Sequence, residues 1–139
     1  LFALAEAAKR GWIPGGDVEA KAKYDLAIEQ SFRQWTGGIT GLAAYMANAE
    51  VIYNPARAIE QISNQRYVHL FMHGYEAWAE WRRTGYPNNL VSPGGKPVPT
   101  RLGYPDNEAF NNAENYQQAL DSQFGGENSM YGKVWWDKP

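Results

Sequence analysis

His69, His73 and Glu76 stand at i, i+4 and i+7, a spacing that would set three metal-ligating side chains on one helical face, where they could hold zinc. The glutamate that follows the first histidine in an H-E-x-x-H metalloprotease is absent, because Leu70 occupies that place. Two histidines without it are more simply ordinary helix-surface or core-edge residues, so no metal and no catalytic residue is assigned. Glu76, Glu80, Arg82 and Arg83 form a second cluster, with Glu80 and Arg83 spaced to bridge. It could clamp a carboxylate or a sugar. The favoured role is structural, an arginine fork fastening the helix end to the carbonyls and carboxylates of a long loop. No G-x-S-x-G, P-loop or G-x-G-x-x-G occurs, which removes support for serine hydrolysis and nucleotide binding. The remaining chemistry is aromatic. Trp78 and Trp81, at helical spacing, are expected in the core, whereas Tyr104, Tyr131, Trp135 and Trp136 fall in loops and could stack on a ligand.

The elements that would position these residues are helices. In Leu1–Trp12 the residues Leu1, Leu4, Ala5 and Ala8 recur at helical spacing, with Gly11 as the expected C-cap. A Pro-Gly-Gly turn follows, with Asp17 as the expected N-cap of a second helix that runs to about Trp35 and stops at Gly37-Gly38. Residues 1–36 thus predict an antiparallel hairpin in which alanines 5, 7, 8, 20, 22 and 27 permit close approach, the logic of a tetratricopeptide-like unit. A short helix is expected over Leu42–Ala49 and an extended piece at Val51-Ile52-Tyr53. Asn54-Pro55 then opens one long central helix over 55–85. Its stripe is Ile59, Ile62, Tyr67, Leu70, Phe71, Gly74, Tyr75, Trp78 and Trp81, and Gly85 stops it. Residues 86–139 form a loop-rich tail, since Pro87, Pro93, Pro97, Pro99 and Pro105 exclude long helices there. One helix is expected within it, from Asn112 to about Gln123. The fold class is all-α, with helical hairpins, a long central helix and extended proline-rich loops.

Composition narrows the function. The 139 residues suit one domain, and a net charge of −2 without basic runs argues against nucleic acid. The absence of cysteine removes disulfides and thiolate sites. Six Trp, nine Tyr and five Phe sit in a chain of mean hydropathy −0.58, so its apolar mass is concentrated in amphipathic rings. The opening Leu1–Trp12 has the texture of a helix interior and predicts a piece of a longer chain.

The run Gln65–Phe71 followed by Gly74–Pro87 resembles the late region of SusD/RagB-type proteins of the Bacteroidota. Ala5–Ala8 with Gly11-Trp12, the Tyr24–Trp35 helix, Pro99–Pro105 with Glu108 and Asn115-Tyr116, and Val134–Asp137 lie in the order that family shows. The resemblance covers nearly the whole chain but only the last third or less of a family member. It implies a tetratricopeptide-like scaffold in a single helical domain, of which 1–139 is a C-terminal portion. It also implies a non-enzymatic, cofactor-free protein at the cell surface. Family members are held on the outer membrane by an N-terminal lipid and present glycans or other nutrients to a SusC-like TonB-dependent transporter. Docking of that transporter without sugar contact is the alternative. Tyr75, Glu76, Trp78, Arg82, Arg83, Gly85, Tyr86 and Pro87 match the recurring motif, whose implied role is architectural.

Overall fold

The computed structural model describes residues 1–137 and is all-α, with no strand among the described residues. The chain divides into two compact units, Leu1–Asn88 and Asn89–Pro139.

In the first unit, α1 (Phe2–Lys9) and α2 (Gly16–Thr36) form the expected hairpin. Ala5, Ala8, Ala20 and Ala27 are buried in it, so the two backbones approach closely; Ala7 is half-buried and Ala22 faces outward. The turn differs from expectation at both of its ends, and Arg10, not Gly11, is the C-cap of α1. Gly15, not Asp17, caps α2, in a left-handed conformation at φ 109° where an added Cβ would lie 2.4 Å from the Glu19 Cβ. Asp17 instead sits in the first turn, where Lys9 donates to it at 2.7 Å and the Tyr53 hydroxyl at 2.8 Å.

After α3 (Leu42–Met46), residues Val51–Tyr53 make a turn rather than an extended piece. Two side chains hold it. The buried Tyr24 hydroxyl donates to the Val51 carbonyl at 2.8 Å, and burial pushes this phenol above its ordinary pKa. Gln61 donates to the carbonyls of Glu50 and Ile52 and accepts from the Asn54 amide, so its amide is satisfied although buried. Asn54 accepts from the Ala56 amide and opens a 3-10 turn at Pro55–Arg57, as its sequence implied.

The long central helix expected over 55–85 is two helices, α4 (Ala58–His69) and α5 (Gly74–Thr84). Between them the chain turns through Met72 at φ 68°, and the His73 amide donates to the Leu70 carbonyl at 2.8 Å. Apolar spacing runs straight across this elbow, yet Phe71, Met72 and Tyr75 are exposed there. Trp78 and Trp81, expected in the core, are half-buried, and the residues α5 buries are Ala77 and Glu80. The elbow has a geometric consequence. A straight helix would carry Arg83 about 21 Å past His69 at about 1.5 Å per residue. The turn instead brings it to Glu6, 77 positions earlier.

There Arg83 donates to both Glu6 oxygens, at 2.8 and 2.6 Å, and to both Glu80 oxygens, at 3.1 and 2.7 Å. Arg10 adds a bond to Glu6 at 2.8 Å, and Arg66 lies 3.3 Å from Glu80. The arginine fork was expected to reach a long loop. Its second partner is helix α1, because only a carboxylate already held in the core matches the charge delivered there.

In the second unit a 3-10 turn at Pro93–Gly95 precedes α6 (Glu108–Asn111) and α7 (Ala113–Phe124), and a 3-10 turn at Trp135–Asp137 follows. The expected helix is α7; α6 is too short to leave a periodic signal.

Hydrogen bonds from Arg83, with those from Arg10, outweigh burial and hold the Glu6 carboxyl below its ordinary range. Breaking a buried pair removes more than a surface bridge, but both arginines are partly exposed. Glu6→Gln should therefore lower unfolding stability by about 1–3 kcal/mol at pH 7, measured by urea denaturation. A carboxyl depressed on folding stabilises above its unfolded pKa of about 4.3. The difference between wild type and Glu6→Gln should thus shrink as pH falls below that value through the folded pKa; an unchanged gap at pH 3 would exclude Glu6 as its source.

Candidate functional site

The elbow dissolves the shared face proposed for His69, His73 and Glu76. His69 ends α4 with Nδ1 3.1 Å from the Ser31 hydroxyl and its ring against Phe2. Burial, then the neighbouring His73, lowers its pKa. His73 caps α5, and Glu76 is exposed in that helix's first turn. Among the described residues no group of three or more His, Asp or Glu could hold a metal.

The same elbow walls a groove of about 730 Å³ in the first unit, lined by Phe32 and Trp35 of α2, Tyr45 of α3, Val68 of α4, and Phe71 and Met72 of the elbow. Its volume lies in the range of small-molecule sites. The Trp35 indole N–H donates to the His69 carbonyl at 3.0 Å, and its ring meets Phe71 edge-on with centroids 5.6 Å apart. The Tyr45 hydroxyl donates to Gln65 at 2.9 Å. Nothing in the helical periodicity announced this groove, because Trp35 and Phe71 fit core stripes. The signal available was the run Leu70-Phe71-Met72 beside Gly74, three consecutive apolar residues that one helical face cannot all bury.

In the second unit the loop aromatics separate into two kinds. Tyr104 is packed: its ring meets Tyr116 and Phe124 edge-on at 6.0 and 6.4 Å, with the Arg101 guanidinium 4.9 Å from its centroid. Tyr131, Trp135 and Trp136 are exposed, at 44%, 79% and 49%. Tyr131 and Trp135 enter no ring pair among the described residues. Trp135 and Trp136 occupy the closing 3-10 turn, where the Asp137 amide donates to the Val134 carbonyl. The structure thus does not gather the four candidates into one aromatic cluster. It ties Tyr104 to α7, while Tyr131, Trp135 and Trp136 are the exposed members of the set.

The motif residues of α5 and of the turn after it make most of their contacts within the first unit. Arg82 lies 3.9 Å over the Trp78 ring, Arg83 bridges to α1, and Gly85 caps the helix at φ 75° with its amide on the Trp81 carbonyl. The Tyr86 amide donates to Thr84, and Pro87 is half-buried. Tyr75, Glu76, Arg83 and Gly85 are the exposed members.

Residues 1–105 match the profile of a SusD-like family described as starch-binding, associating with outer membrane. No curated protein matches. Among solved structures, a SusD-like protein from Bacteroidetes is 30% identical with a TM-score of 0.81, and a SusD homologue from Bacteroides fragilis NCTC 9343 is 31% identical with 0.75. A chitin-binding protein is 36% identical with 0.73. Each match covers 99% of this chain but only 29%, 34% and 32% of the respective relatives, so the chain spans about a third of their length. With a family profile over three-quarters of its residues and relatives of the same all-helical fold at 30% identity or more, the chain belongs to the SusD-like family.

Proposed function

We propose that the chain takes part in non-catalytic capture of glycans or related nutrients at the outer-membrane surface, for delivery to a SusC-like TonB-dependent transporter. The observation that carries this reading is the exposure of Trp135, Trp136 and Tyr131 in the second unit. A ring face turned to solvent can stack on the C–H face of a sugar, and no bond need be made or broken. The family description and the chitin-binding relative support a carbohydrate ligand. No described helix is long and apolar enough to cross a membrane. The N-terminal lipid of the family supplies the attachment in this reading.

The groove of the first unit favours a second use, docking of a protein such as the transporter. Sugars need hydroxyl partners as well as ring faces, and four of the groove's polar side chains are already engaged within the protein. Tyr45 bonds Gln65, Trp35 bonds the His69 carbonyl, Thr36 bonds the Phe32 carbonyl and Ser31 bonds His69. What the groove offers is apolar area, which suits protein side chains.

Calorimetric titration of the 139-residue chain with maltoheptaose and chitohexaose tests the sugar reading. Trp135→Ala should weaken the binding sugar by about tenfold, in line with stacking contributions of up to about 1.5 kcal/mol. Trp35→Ala should leave it unchanged while removing affinity for a groove partner. Sugar binding lost with Trp35 and kept without Trp135 would move the site to the groove.

A further inference from the structure

Arg101 is only 5% exposed, and among the described residues its guanidinium pairs with no carboxylate. Its charge is met by ring faces and dipoles. The Phe124 centroid lies 4.1 Å from Cζ and the Tyr104 centroid 4.9 Å. Nη1 donates to the Asn128 side-chain oxygen at 3.1 Å and to the Ser129 carbonyl at 2.8 Å. Such a site is costly to build for a cation, so what it holds in place is informative.

Its bonds to Asn128 and Ser129 join a set of contacts from Thr100, Tyr104 and the Arg101 backbone that fastens the segment leading into the exposed rings. The Thr100 and Arg101 amides both donate to the Met130 carbonyl, and the Thr100 hydroxyl donates to the Gly132 carbonyl at 3.1 Å. Asn128 clasps Tyr104 from both sides, accepting from its amide and donating to its carbonyl. Positions 128, 129, 130 and 132 are thereby fastened, with Tyr131 between them. Gly132 seats the segment against Phe124 so closely that an added Cβ would stand 2.7 Å from the ring's Cδ1. That ring has the Arg101 guanidinium over it and the Tyr104 ring at its edge, so it has little room to give.

We propose that Arg101 is a positioning residue that holds residues 128–132, and through them Tyr131 and Trp135, in a binding-ready arrangement before ligand arrives. This rests on the glycan-binding reading above. Buried as it is, Arg101 touches no ligand; it acts by removing the ordering cost that a loose loop would incur on binding.

The test compares wild type, Arg101→Gln and Gly132→Ala in the 139-residue chain, by amide hydrogen exchange and by calorimetry with maltoheptaose and chitohexaose. Both variants should lose protection at the Tyr104 and Tyr131 amides while α7 keeps its own, and should bind the sugar about tenfold more weakly. The loss should appear in the entropy, with the binding enthalpy retained, and saturating sugar should restore the lost protection. Simple unfolding would do neither. Should Arg101→Gln fail to fold, Gly132→Ala decides alone, since it keeps the arginine and unseats the segment. Wild-type affinity in a variant whose loop amides exchange freely would overturn the positioning role and leave glycan binding standing. A wild-type chain that binds neither sugar would overturn the binding reading, and the positioning role with it.

Discussion

The first unit depends on one guanidinium. Glu6 and Glu80 are both buried, and a buried carboxylate without a counter-charge is among the most costly groups a protein can contain. Arg83 answers both with a fork of four donor contacts, which a lysine ammonium could not reproduce in the same plane. Glu6 lies on α1 and Glu80 on α5, so the bridge closes the unit across nearly its whole length. Everything between must route the chain back to that point. The left-handed Met72 and the elbow that follows are the means, and the cost of a non-glycine residue at positive φ is borne because the turn completes the ion network.

Much of this unit was legible. The hairpin declared itself through the Pro-Gly-Gly turn and small residues at helical spacing, and glycines 37 and 85 do cap their helices. The elbow was not legible, because hydrophobic periodicity records which residues could share a face and not whether the backbone stays helical between them. Leu70 to Tyr75 kept the spacing of one helix while belonging to the end of one and the start of another. The arginine fork was recognisable as a fastener, yet its partner was not. Glu6 stands off the stripe of Leu1, Leu4, Ala5 and Ala8, and only the fold brings Arg83 to it.

The second unit is organised differently. Among its described residues the buried side chains are Leu120 and Arg101, too little apolar volume for an ordinary core. Aromatic rings and one desolvated cation do the packing, and the amide of Asn128 spans loops that share no secondary structure. None of this has a sequence period. Arg101 and Asn128 are ordinary polar residues in a proline-rich stretch until the backbone places them together, and for that reason the loop candidates could be named from the sequence but not sorted.

Sorting them requires exposure and partners together. Tyr104 and Trp135 have equivalent chemistry as amphipathic rings, yet Tyr104 has Tyr116, Phe124 and Arg101 around it, and the surface a ligand would use is already occupied. Trp135 presents most of its indole to water, a state that contributes little to folding. Exposure alone would not distinguish a binding ring from an incidental one, since isolated apolar side chains at the surface are common. The distinction comes from the backbone beneath. A ring carried on a slack loop loses much of its stacking energy to ordering, whereas one that follows a segment fastened at four positions retains it. On the proposed reading, the clasp around Arg101 is what makes a solvent-facing tryptophan a usable surface.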